Sequence, residues 1–108
     1  MSFTIVETWY LTEKAAAQAT RTMQLIDDAL GDNAHHHPGW NGHATFLQDR
    51  NDPRIVTWVY PWRSAEDHAD LLKSEEALVE PLIAEYCTRP REVRYAVELP
   101  VEVDHDHH

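Results

Sequence analysis

The chain of 108 residues is short of several things, and each shortage removes a class of function. Its one cysteine, Cys87, rules out an internal disulfide, and a place late in a helical pattern suits an inert, half-buried thiol. Nine Lys and Arg stand against nineteen Asp and Glu, a formal charge of -10. Nucleic-acid affinity comes mostly from clustered basic side chains that release counterions, so this balance argues for no nucleic-acid partner. No run approaches the roughly 18 apolar residues of a membrane span, and MSFTIVETWYL has no basic segment followed by an apolar one. The expectation is a cytoplasmic chain with no membrane contact. Its length allows one compact domain, residues 1–100, with a core modest enough to gain from oligomerisation, followed by an acidic, histidine-rich tail over 101–108.

What is present is periodicity. Residues 3–11, FTIVETWYL, alternate as a strand, with Phe3, Ile5, Glu7, Trp9 and Leu11 on one face. That face is apolar except for one carboxylate. From Thr12, read as the N-cap with Glu13 in the first turn, the spacing becomes helical, with Ala16, Ala19, Met23, Ile26 and Leu30 as the stripe and Gly31 and Asn33 as the stop. The loop NAHHHPG leads to a second strand over about residues 40–48, and DRNDP turns it into a third over 54–62. Ser64 with Asp67 three residues on starts a second long helix, which Pro81 is expected to bend or divide. A turn at 88–90 precedes a fourth strand, EVRYAVEL.

The order strand, helix, strand, strand, helix, strand predicts an α+β fold of the ferredoxin-like, split βαβ kind. In it a four-stranded antiparallel sheet carries both helices on one face. Because the strands are apolar on both faces, the bare face is expected to be covered by a second copy, giving a homodimer.

One passage is more specific. Pro38-Gly39-Trp40, the short acidic turn from Asp49 to Pro53, and a third strand closing on Trp62-Arg63-Ser64 with Glu66 in the following helix resemble the antibiotic biosynthesis monooxygenase family. The resemblance covers roughly residues 3–99, though its specific part is the middle forty. It implies a dimeric α+β barrel and a pocket between sheet and helices for a hydrophobic, often aromatic, small molecule. Members include cofactor-free oxygenases of phenolic polyketides, haem-degrading enzymes, and relatives that isomerise, cyclise or only bind.

The resemblance sets Trp62 in the pocket wall, and strand parity puts Trp58 and Tyr60 beside it, where a flat ligand could stack. Trp9 and Trp40 complete the candidate binding set. Glu7 is the leading candidate base, because a carboxylate among Ile5, Trp9 and Leu11 is desolvated and suited to proton transfer. The alternative for Glu7 is a structural pair with an arginine such as Arg94. His43 is the second candidate base. His68, in the run SAEDHAD, reads as solvated helix surface. Where haem-binding relatives carry a histidine, this chain has Leu71, which counts against haem.

His35, His36 and His37, just ahead of Pro38-Gly39, form a candidate metal-binding set, with the tail DHDHH a weaker one. No cofactor is the leading expectation, with a metal ion or haem as the other possibility. The function expected is a tailoring enzyme, a cofactor-independent monooxygenase of an aromatic or polyketide-like substrate. The alternatives are a ligand-, metal- or haem-binding protein of the same fold and a metal-dependent enzyme using the histidine-rich loop.

Overall fold

The computed structural model describes residues 3–103; the histidines of the DHDHH tail lie outside the described residues. The elements are β1 (Phe3–Leu11), α1 (Glu13–Ala16), α2 (Ala19–His35), β2 (Thr45–Gln48), β3 (Ile55–Trp62), α3 (Ala65–Tyr86) and β4 (Cys87–Ala96). The sheet has the order β2-β3-β1-β4, antiparallel throughout, so β1 and β3 lie at its centre. This is the ferredoxin-like α+β fold that the element order predicts.

Alternation decides which side chains the helices cover. Ile5, Glu7, Trp9 and Leu11 of β1 and Val56, Trp58, Tyr60 and Trp62 of β3 are buried, while their strand neighbours are half-exposed on the open face. Met23, Ile26 and Leu30 of α2 close the core from one side. The inward stripe of α3 is His68, Leu71, Glu75 and Val79, spaced three and four apart. Two of its four members, His68 and Glu75, are polar.

Several boundaries differ from those the sequence suggests. The first helical stretch is two helices, broken at Ala17 and Gln18, where Gln18 N–H and the Thr22 hydroxyl both donate to the Ala15 carbonyl. Gly31 and Asn33 do not stop α2, which runs on to His35; Gly31 keeps ordinary helical backbone and the Asn33 amide donates to Ser74 Oγ on α3. Strand β2 is short, with Trp40 joined to Trp62 only by an isolated bridge. Ser64 does cap α3, accepting from Asp67 N–H, but Pro81 does not divide that helix.

The fourth strand starts at Cys87, straight from the helix, and contains Pro90 on an edge where a missing donor is tolerated. Its pairing with β1 slips between Thr8 and Tyr10. The slip sends Arg89 to the open face, over the Tyr10 ring, while Arg91 keeps the inward parity of Val93 and Tyr95. Beyond the sheet, Val97, Leu99, Val101 and Val103 alternate with polar residues and Pro100 and are all exposed. The stretch from Val97 to Val103 therefore carries an exposed apolar alternation.

Gly39 is fixed by crowding. A Cβ there would stand 2.5 Å from Trp62 Nε1 and 2.7 Å from Asp67 Cβ, whereas nothing lies within 4 Å of one at Gly31. Gly39→Ala is expected to destabilise the fold by about 1–3 kcal/mol. Gly31→Ala, in the interior of α2, is expected to stabilise it by up to about 1 kcal/mol. Urea denaturation of both variants checks the contrast.

Candidate active site

The buried polar residues of β1, β3, α3 and β4 meet. Glu7, 1% exposed, directs Oε1 toward Trp9 Nε1 at 3.1 Å and Arg91 Nη1 at 2.8 Å, and its Oε2 accepts from the Tyr60 hydroxyl. The other guanidinium nitrogen of Arg91 donates to Glu75 Oε1 at 2.7 Å. Two carboxylates thus share one guanidinium below the helices, an arrangement whose Coulomb attraction has to offset the desolvation of all three charges. Burial acts against the charge on Arg91, but Glu7 and Glu75 outweigh it and hold its pKa above the ordinary value. Burial raises the Glu75 pKa, and Arg91 limits that rise.

Tyr60 connects this group to a second. Its hydroxyl lies 2.7 Å from His68 Nε2, and His68 Nδ1 lies 3.1 Å from the hydroxyl of Tyr95 on β4. His68 is fully buried, so the reading of it as solvated helix surface is corrected: the residue falls on the inward stripe of α3. Burial, with Arg91 and His37 adding like charge, lowers its pKa to about 4. Burial also raises the Tyr60 pKa, and the negative charge of Glu7 adds to the effect. At neutral pH the imidazole is neutral and the phenol keeps its proton.

Above these groups lies an open cleft of about 310 Å³ between α2, α3 and the sheet. Glu7, Tyr60 and Glu75 reach it from below, Trp58, Trp62 and Phe46 form an aromatic wall, and His35, Trp40 and His43 line it as well. The last three rings touch edge to face, with centroids 5.1–5.8 Å apart. Asp27 adds a carboxylate, and Leu71 an aliphatic side chain that offers an iron no ligand.

Of the residues singled out from the sequence, Glu7, His43, Trp40, Trp58, Tyr60 and Trp62 line one cleft. Trp9 stands apart from it, stacked on Trp58 at 5.0 Å and holding Glu7. The arginine that pairs with Glu7 is Arg91. Arg94 pairs across to Val6, which belongs to the open face. The three adjacent histidines diverge. His35 faces the cleft, His36 turns back to Asp32, and His37 binds Asp70 at 2.9 Å while its Nδ1 accepts from Gly39 N–H. Among the described residues no group of three His, Cys, Asp or Glu is placed to hold a metal ion. Cys87 is half-buried, its pKa pushed up by burial to about 11, as an unreactive thiol requires.

The same architecture occurs in known structures. A monooxygenase from Streptomyces coelicolor in complex with nanaomycin D superposes with a TM-score of 0.73 at 15% identity, over 95% of this chain and 92% of that one. SnoaB, a cofactor-independent oxygenase from Streptomyces nogalater, gives 0.63 at 14% identity over 90% and 92%. A structure named antibiotic biosynthesis monooxygenase gives 0.65 at 13% identity over 93% and 100%. At these identities the likeness is one of fold. No protein-family model and no curated protein matches the sequence. No helix among the described residues is long and apolar enough to cross a membrane.

The titration of His68 has a thermodynamic consequence. The unfolded chain protonates this imidazole near pH 6.5 and the folded one only near 4, so between those values unfolding takes up a proton. Stability should fall by up to about 3 kcal/mol as pH drops from 6.5 to 4, with no further loss from this group below 4. Thermal melts across that window should show the slope, and His68→Gln should lack that part of it.

Proposed function

We propose that the protein belongs to the antibiotic biosynthesis monooxygenase family and works as a cofactor-independent monooxygenase on an aromatic or polyketide-like small molecule bound in the cleft. The observation that supports this most is the hydrogen bond from Tyr60 to the buried Glu7, set beneath an aromatic wall wide enough for a flat ligand. The fold neighbours lend the class: one carries nanaomycin D, and another is named as a cofactor-independent oxygenase.

In this reading the ligand stacks against Trp58 and Trp62 and points an acidic C–H or phenolic O–H down toward Glu7 and Tyr60. Glu7 takes the proton, and the resulting carbanion, stabilised by the aromatic system, transfers an electron to dioxygen. Recombination forms a C–O bond and a hydroperoxide. Loss of water from the hydroperoxide leaves a carbonyl, so a methylene and one dioxygen become a carbonyl and one water, with no external reductant. His43, beside Trp40 and His35, is the second candidate base.

One observation favours a different reading. Both oxygens of Glu7 are already engaged by Arg91, Trp9 and Tyr60, as in a structural ion pair, and a protein that only binds its ligand would keep them so.

The open sheet face supports a homodimer. Val6, Ile55, Val59 and Pro61 share it without a covering layer, and the exposed alternation from Val97 to Val103 supplies more apolar surface for a second copy. Light scattering should give twice the chain mass, and removal of residues 97–108 should weaken the association.

Oxygen uptake with a panel of naphthols and anthrones tests the chemistry. Turnover by the wild type is expected, with Tyr60→Phe lowering kcat by about 100-fold or more. Quenching of tryptophan fluorescence should show the ligand still binding the variant within a few-fold. Tight binding to the wild type with no oxygen uptake would establish the binding-protein reading instead.

A further inference from the structure

A ligand filling the cleft separates Glu7 and Tyr60 from the water that reaches them through its mouth, so a base there needs another route to solvent. Tyr60 donates to Glu7 Oε2 and stands 2.7 Å from His68 Nε2; His68 Nδ1 stands 3.1 Å from Tyr95 Oη. His68 and Tyr95 do not line the cleft, and Tyr95 is 45% exposed. The chain of contacts therefore begins at the cleft floor and ends at a part-exposed tyrosine that does not line the cleft. We propose that Tyr60, His68 and Tyr95 form a proton relay that connects the acid–base pair at the cleft floor to solvent by a path independent of the cleft mouth. The proposal rests on the reading of Glu7 and Tyr60 as proton-transfer groups.

Hydrogen-bond counting fixes the resting state. Each hydroxyl has one proton, and Tyr60 gives its own to Glu7, which as a carboxylate only accepts. Tyr60 Oη must then accept from His68 Nε2–H. The neutral imidazole has no second proton, so Nδ1 accepts from the Tyr95 hydroxyl. Every donor points inward, from Tyr95 to His68 to Tyr60 to Glu7.

A proton consumed at the cleft floor is replaced by one shift along this line. Tyr60 gives its proton and takes that of His68 Nε2, His68 Nδ1 takes that of Tyr95, and Tyr95 takes one from water. No charge is left behind. The shift leaves His68 as the Nδ1–H tautomer, the state from which a proton moves outward by the same steps reversed. Successive transfers along the line therefore alternate in direction.

The surroundings of His68 keep it neutral for this role. Facing it are Tyr60 and Trp62 from β3, Arg91 and Tyr95 from β4, and His37 from the segment before β2, with Glu7 and Glu75 held off by their pairing with Arg91. A cationic imidazole would meet like charge from Arg91. A neutral one passes protons without storing them.

Tyr95→Phe tests the relay. It removes one hydroxyl and keeps the ring that packs edge-on against Phe3 and His68 at 5.4 Å. The first readout needs no substrate: the exchange with solvent of the His68 Nε2 proton, followed by nitrogen-15 NMR. Exchange should slow at least about tenfold in the variant, while melting and oligomeric state stay as in the wild type; unchanged exchange overturns the relay. With a substrate that turns over, kcat should fall about tenfold at constant KM and be partly restored by raising buffer concentration. A relay that passes the exchange test in a protein with no oxygen uptake would leave the relay standing and remove the monooxygenase reading. Full turnover in Tyr95→Phe with unchanged exchange would do the opposite.

Discussion

The guanidinium of Arg91 between Glu7 and Glu75 is the interaction on which the rest of the site depends. Three ionised groups, each less than one-tenth exposed, join β1, β4 and α3 at one point. Two carboxylates with no cation between them would not remain charged in such a place, and removing one partner from a buried ion pair costs roughly 3–5 kcal/mol. By occupying Glu7 Oε1, Arg91 turns Oε2 toward Tyr60. That contact in turn decides which nitrogen of His68 bears the proton. A single long side chain on the edge strand thus sets the hydrogen-bond direction of a network that crosses the core.

Above this polar layer the core is aromatic. Trp9 stacks on Trp58, Phe46 meets Trp58 edge-on, and Tyr60 meets Trp62 the same way. The indole N–H groups of Trp58 and Trp62 are buried without partners among the described residues, so their rings are held by packing alone. In the proposed reading the aromatic layer shapes the space for a ligand, and the polar layer beneath supplies proton chemistry. Tyr60 belongs to both.

The sheet and the aromatic row were legible in the sequence because strand parity is rigid: once residues 54–62 read as a strand, Trp58, Tyr60 and Trp62 had to share a face, while Glu7 joined them only through the family resemblance and the β1–β3 register. The partner of Glu7 was not legible. Strand β4 starts five residues earlier than its alternation suggests, and the slip opposite Trp9 decides which arginine turns inward. A bulge next to a proline leaves no period to count. His68 was hidden by its neighbours, since Glu66, Asp67, Ala69 and Asp70 look like a solvated run. Its place three residues before Leu71 and eleven before Val79 was the available signal. The helix ends were missed because tertiary contacts, Asn33 with Ser74 among them, carry α2 past residues that would end it alone.

The segment from His36 to Ala44 has little secondary structure and is held at only a few points. His37 binds Asp70, the Gly39 carbonyl accepts from Arg63 N–H, and Trp40 bridges to Trp62. It carries Trp40 and His43 at the side of the cleft, while Glu7, Tyr60 and Glu75 at the cleft floor come from β1, β3 and α3. The side of the cleft and its charged floor are therefore encoded in different stretches of chain. Changes within this segment, away from crowded Gly39, can reshape the cleft without touching the buried charges, so a lineage built on this scaffold can vary what fits while the ion network beneath stays the same.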